Sequence, residues 1–228
     1  MKGFYMQSTT NLPFENLEDS LQERINNQAQ IVKLKKGDTT YLSDNVNRYV
    51  YVVKDGKVKS YQLNLENGKE QTLYIYSDNH IFDTVTILDG EEHDVCYEVI
   101  EDTTLIMYPI EFVRNLLHDF PEFSQKFYLY IAKQMRYLEE TITDISLYST
   151  SERLIKLIVQ DFTPNNIFRF NILEGLSHTE TANLLGTVRH VVERHLRNLK
   201  KDKMINVVDR KIQILNAEKL LKKINFLT

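Results

Sequence analysis

The spacing of apolar residues changes several times along the chain, and each change predicts a different element. Phe14, Leu17, Leu21 and Ile25 recur at helical intervals in a polar background, which predicts a short helix over residues 14–28. Residues 29–108 switch to short runs rich in Val, Ile, Tyr and Thr, broken by Gly37-Asp38, Asp55-Gly56, Asn67-Gly68 and Asp89-Gly90. Asp-Gly and Asn-Gly favour type I′ turns, whose two central residues need positive φ. The pattern predicts that residues 49–53 pair with 57–63 around Asp55-Gly56, and 61–65 with 70–76 around Asn67-Gly68. Short strands at this density imply a sandwich or barrel-like roll.

Helical spacing returns over residues 109–149. Pro109 suits the start of a short helix over 110–118, where its missing N–H costs nothing. Pro121 opens a longer helix in which Phe127, Ile131, Met135, Leu138, Ile142 and Ile145 recur at steps of four or three. So narrow a stripe with polar flanks predicts a two-helix seam between copies of the chain; packing on the chain's own strands is the alternative. The remainder is compact and helix-rich. Ser151 is placed to cap a helix over 152–162, and Asn165-Asn166 after Pro164 marks a turn. Ser177-His178-Thr179-Glu180 has the Ser-x-x-Glu form of a capping box. Gly186 interrupts that helix, and Thr187 is placed to cap another reaching about Lys201. Residues 204–208 and 211–215 alternate around Asp209-Arg210 as a small hairpin.

Charge follows the same division. The net charge is −4, but residues 1–151 hold 14 Lys and Arg against 24 Asp and Glu, while 152–228 hold 14 against 8. An acidic module is thus joined to a basic one suited to a polyanion. No apolar run has membrane-spanning length, and the polar N-terminus lacks the core of a secretory signal. The lone Cys96 excludes an internal disulfide framework and a four-cysteine metal centre, so a reducing cytoplasm is the expected compartment. Between Val95 and Tyr97 it reads as a buried or half-buried structural thiol.

Two short helices joined through a glycine-containing turn make a helix-turn-helix unit. Val192, Leu196 and Leu199 define the inner face of its second helix, leaving Arg189, His190, Glu193, Arg194 and Arg197 on the rest. Arg bonds guanine O6 and N7 together, and His donates to one of them, so Arg189, His190 and Arg194 are the predicted base readers. Thr187, Arg197, Lys203 and Arg210 are the predicted phosphate contacts, with the 204–215 hairpin as a wing. The expected partner is double-stranded DNA.

In this order the parts resemble the Crp/Fnr superfamily of bacterial regulators over about residues 29–215. The resemblance is carried by Leu34-Lys35-Lys36-Gly37-Asp38, the stretch from Tyr51 to Val58, Asn67-Gly68-Lys69-Glu70, the long helix and the winged helix-turn-helix. It implies an α+β chain: a cyclic-nucleotide-binding-like, jelly-roll-like β-roll over 1–120, a dimerisation helix over 121–149 and a winged helix-turn-helix domain over 150–228. It also implies a homodimer on a pseudo-palindromic promoter site, activation of transcription and contact with RNA polymerase. Aligned without gaps from Gly186, Arg189 and Arg194 match the family's two DNA-contacting arginines. His190 replaces a glutamate that would accept from cytosine, so a different operator is expected. Val188 stands where a Ser or Thr often caps the recognition helix.

Members that bind cyclic nucleotides carry Gly-Glu and, about ten residues later, Arg-Ser or Arg-Thr to clamp the phosphate. Here Asp83 replaces the Gly, Thr84 the Glu, and His93-Asp94 the Arg-Ser. Two carboxylates would repel a phosphate, and no arginine lies between Arg48 and Arg114. Asp83, Thr84, His93 and Asp94 are therefore the candidate pocket for an unknown small-molecule effector, with cyclic AMP and GMP not expected. No cysteine precedes Cys96, which argues against the iron–sulfur centre of oxygen-sensing members, and His80, His93 and His118 lack metal or haem ligand spacing. No cofactor or metal is expected. A cupin-like enzyme would need a closely spaced His pair with a carboxylate, which residues 29–108 lack, so enzyme activity is not expected. A small-molecule-sensing module acting on a protein partner, and a DNA-binding regulator with no effector, remain alternatives. The former would have no use for Arg189, Arg194 or the wing.

Overall fold

The computed structural model describes residues 13–39, 42, 45, 47–163, 167–208 and 211–224. Strands β1 (Gln30–Leu34), β2 (Tyr49–Leu63), β3 (Glu70–Tyr76), β4 (Ile81–Phe82) and β5 (Cys96–Pro109) form one antiparallel sheet. Its order is β1-β5-β2-β3, with β4 also on β2. The long strands β2 and β5 are its spine, paired from Tyr49 with Pro109 to Tyr61 with Cys96. Both faces are covered along much of β2, so residues 50–53 and 57–60 are buried without the alternation of a half-exposed strand. Tyr51, Val53 and Val58 pack with Tyr76, Phe82, Tyr97 and Leu105 in one cluster. Val50, Val52, Ile81 and Tyr108 join another with helices α1 (Asp19–Gln28), α3 (Ile110–Asp119) and α4 (Pro121–Leu147). Phe14, just before α1, stacks on Tyr108 with 4.7 Å between ring centroids.

The hairpin predicted at Asp55-Gly56 does not form. The chain runs through it as one 15-residue strand, with register shifts against β5 between Val53 and Val58. Gly56 has φ +96°, and a Cβ there would lie 2.5 Å from Thr103 Oγ1 and 2.6 Å from the Asp102 carbonyl oxygen. A bulge and a type I′ turn both ask for positive φ, and here the neighbouring strand selects the bulge. Asp89-Gly90 is not a hairpin either: Gly90 ends the short helix α2 (Thr84–Asp89). Asn67-Gly68 does lie in the β2–β3 connection, where Leu63 pairs with Glu70. Cys96 is exposed, not buried, because it begins β5 opposite the outer end of β2.

Helix α4 carries two stripes. Phe123, Phe127, Tyr130, Gln134, Tyr137 and Asp144 are buried within the chain. Phe127, predicted as a seam residue, is at 0% exposure in the core against the sheet and is unavailable to a second chain. Tyr128, Met135, Leu138, Ile142 and Ile145 are exposed, and Ile131 lies between as a half-buried residue.

Helix α5 (Thr150–Asp161) begins at Ser149, not Ser151: Ser149 and Glu152 make a capping box, which supplies the first-turn N–H groups with acceptors. Then come α6 (His178–Leu184), α7 (Arg189–Lys201), β6 (Ile205–Val208), β7 (Lys211–Ile214) and α8 (Ala217–Lys223). Leu154, Ile158, Ile172, Leu184, Val192, Leu196 and Met204 share a core that also takes in Ile75 and Ile100 of the sheet. The connection between α5 and α6 supplies Phe168, which is 1% exposed and packs on Tyr74, His80, Tyr130 and Tyr137. Next to it, Arg169 lies 3.2 Å from the buried Asp144 carboxylate, which Lys156 also pairs. The predicted turn at Pro164 to Asn166 lies outside the described residues.

Candidate nucleic-acid interface

Ser177 and Glu180 cap α6 reciprocally, as their spacing predicts. Ala182, almost fully buried, faces the core, and Gly186 (φ +65°) turns the chain toward α7. The Thr187 N–H donates to the Ala182 carbonyl at 2.9 Å, which fixes the turn. Thr187 does not cap α7, however. Val188 occupies the N-cap with extended φ −121° and ψ 151°, and no side chain accepts from the first turn. Val192, Leu196 and Leu199 bury the inner face of α7 as expected. Arg189, His190, Arg194 and Arg197 are exposed, as is Lys203 just beyond the helix. Lys200 and Lys201 add charge to the last turn, which also favours cations at a helix C-terminus. Burial, followed by the charge of Arg194, holds the His195 ring below its ordinary pKa, favouring its neutral form.

One residue of this surface has a role that its spacing announces only in part. Glu193 Oε1 accepts from Arg189 Nε at 2.7 Å and lies 3.3 Å from His178 Nδ1 of α6. Hydrogen bonding from Arg189, then from His178, keeps the Glu193 carboxyl below the ordinary carboxylate range. Glu193 thus aims Arg189 and ties together the two helices of the unit. The Arg189–Glu193 pair is legible as an i,i+4 spacing, whereas the link to His178 needs the helix crossing. The wing forms with Ile205 opposite Ile214 and Val208 opposite Lys211. Lys211 pairs with Glu174 at 2.5 Å, and Lys223 of α8 with Asp202 at 2.9 Å. Arg210 lies outside the described residues.

The four effector-pocket candidates divide. Asp83 sits at φ 57° before α2 with its side chain buried, and its Oδ1 lies 2.9 Å from His93 Nδ1. Thr84 turns to the long helix, donating to Gln134 Oε1 at 2.6 Å. Asp94 is exposed, and its carbonyl accepts from Gln62. Beside them the interior of the roll is filled by its own rings: Phe82 lies 5.1 Å from Tyr51, 5.5 Å from Tyr76 and 5.4 Å from Tyr97, between centroids. Among the described residues no group of three or more His, Cys, Asp or Glu is arranged to hold a metal, and no helix is long and apolar enough to cross a membrane.

Comparison with known proteins places these features. The family model described as a cyclic nucleotide-binding domain matches residues 31–120, and that of a Crp-like helix-turn-helix domain matches residues 152–223. The global nitrogen regulator of Synechococcus elongatus is 25% identical over 192 residues, covering 82% of this chain and 86% of that protein. FixK2 from Bradyrhizobium japonicum shares the fold with a TM-score of 0.74 at 21% identity, covering 85% of this chain and 96% of its own. A CooA variant from Carboxydothermus hydrogenoformans gives 0.72 at 23%, covering 89% and 90%. With a sensor-type roll, a long helix and a Crp-like DNA-binding domain in this order, the chain belongs to the Crp/Fnr family of transcription regulators.

Proposed function

We propose that the protein acts as a homodimer on a pseudo-palindromic promoter site and activates transcription from it through contact with RNA polymerase. The observation that carries the DNA reading is the set of exposed cations and imidazole on one face of α7: Arg189, His190, Arg194 and Arg197. Arg189, His190 and Arg194 read base edges in the major groove, while Thr187, Arg197, Lys203 and Arg210 meet phosphates. The exposed stripe of α4 supports the dimer, with Tyr128, Ile131, Met135, Leu138, Ile142 and Ile145 in the seam and the buried Phe127 outside it. A two-fold dimer puts the half-sites about one helical turn, about 34 Å, apart.

In the roll, the aromatic filling and the Asp83–His93 pair argue against a cyclic nucleotide, so DNA binding is expected without one. Catalysis forms no part of this reading. Selection of bound sequences from a random DNA pool, with purified protein and no added ligand, tests it. Enrichment of a two-fold symmetric site is the expected result. Absence of enrichment, with cell extract added as well as without, would remove the DNA-reading role.

A further inference from the structure

A cavity of about 420 Å³ opens in the DNA-binding domain beside the helix-turn-helix crossing. Its apolar walls come from several elements of the domain: Leu154 of α5, Leu173 and Leu176 ahead of α6, Leu196 of α7, Val207 of β6 and Ile212 of β7. Polar lining comes from Ser177, His178, Thr179 and Arg189. The volume falls in the range of small-molecule sites, about 300–1,000 Å³, which typically join apolar walls to a few placed polar groups.

The chemistry of the polar lining is cationic and donor-rich. Arg189 carries a permanent charge and His178 offers a ring nitrogen. The protein itself shows which group this pair accepts, because both converge on one carboxylate oxygen of Glu193, at 2.7 and 3.3 Å. We propose that the cavity binds a small amphipathic carboxylate, with its apolar tail among the leucines and its head on Arg189 and His178 in place of Glu193. Binding withdraws Arg189 from DNA and lowers affinity for the operator. This regulatory consequence, unlike the binding itself, rests on Arg189 contacting DNA.

Calorimetric titration of the full-length protein with decanoate, in the absence of DNA, tests the site. One decanoate per chain is expected, with decanol at least about tenfold weaker because it lacks the charge-assisted contacts. Glu193→Gln removes the internal competitor and should tighten decanoate binding severalfold. Val207→Phe fills the cavity and should abolish binding; Ile212→Phe does so from the other strand, and thermal unfolding shows which variant keeps its fold. The proposal is overturned by no heat from either wild type or Glu193→Gln, by equal binding of decanol, or by undiminished binding to a folded cavity-filled variant. Saturating decanoate should then weaken binding to the selected DNA site. Unchanged DNA affinity with decanoate bound overturns the regulatory half, whereas failure to bind DNA even without decanoate counts against the proposed DNA-binding function and leaves the cavity site standing.

Discussion

Arg194 and His80 show two ways in which a single side chain reports on this molecule. Arg194 is exposed on the outer face of α7. If it bonds a guanine through both acceptors, Arg194→Ala should cost about 1–3 kcal/mol on the selected site and relax preference at one base pair. Binding isotherms on the selected and a scrambled duplex check this; equal losses on both would make it a phosphate contact. His80 is buried beside Phe168, and its Nδ1 accepts from the Ser77 N–H at 3.1 Å. Burial holds its pKa down at about 4, against an ordinary 6.5. The unfolded chain therefore takes up a proton below its own pKa while the folded chain does not until the lower one is reached. The contribution is full above pH 6.5 and is lost as pH falls toward 4. From neutrality to about pH 5 the loss is about 2 kcal/mol. Urea unfolding across that window should show a shallower decline for His80→Gln than for wild type. The exposure of Arg194 followed from helical spacing alone. The burial of His80 did not, because its neighbour Phe168 lies far along the sequence in another domain.

At the level of elements, local signals succeeded where a single segment satisfies its own backbone and failed where a neighbour decides. The capping box at Ser177 and Glu180 closes within four residues and was readable. Ser149 and Glu152 have the same form and cap α5, whereas Ser151, the cap expected from the sequence, has no Glu or Gln three residues on. Asp55-Gly56 forms a bulge and not the expected turn because the strand that selects it is β5, which follows much later in the chain. Gly56→Ala should accordingly destabilise the roll strongly, since positive φ and contacts of 2.5 and 2.6 Å both oppose a Cβ. Thermal unfolding reads this directly; an unchanged midpoint would mean that Thr103 and Asp102 shift without cost. The start of α7 permits the opposite experiment. Val188 holds N-cap geometry without a capping atom, so Val188→Ser should stabilise the domain by about 0.5–2 kcal/mol, measured by urea unfolding.

For the whole molecule, the proposed dimer requires two DNA-reading helices at a fixed separation, and the two stripes of α4 are suited to provide it. The buried stripe fastens the helix to its own roll through Phe123, Phe127, Tyr130 and Tyr137. The exposed stripe leaves Met135 at 59% and Ile142 at 65% exposure in the isolated chain. Sequence periodicity found a stripe but assigned Phe127 to it, since neighbouring heptad positions on a helix differ by one residue and only packing shows which faces inward. Across a two-fold axis the same patch meets itself, so one substitution acts twice in a dimer. Ile142→Glu places a carboxylate from each chain in an apolar seam, where desolvation and like-charge repulsion add. Ile142 is absent from the buried stripe, so the roll should remain folded while the dimer dissociates in sedimentation equilibrium. Operator affinity should fall far more than monomer–DNA contacts alone explain, because linked half-sites gain from effective concentration and separated ones do not. Phe127→Ala should behave in the contrary way, lowering the unfolding midpoint through loss of a core ring. Persistence of the dimer in Ile142→Glu would move the seam off α4, and with it the basis for half-sites one helical turn apart.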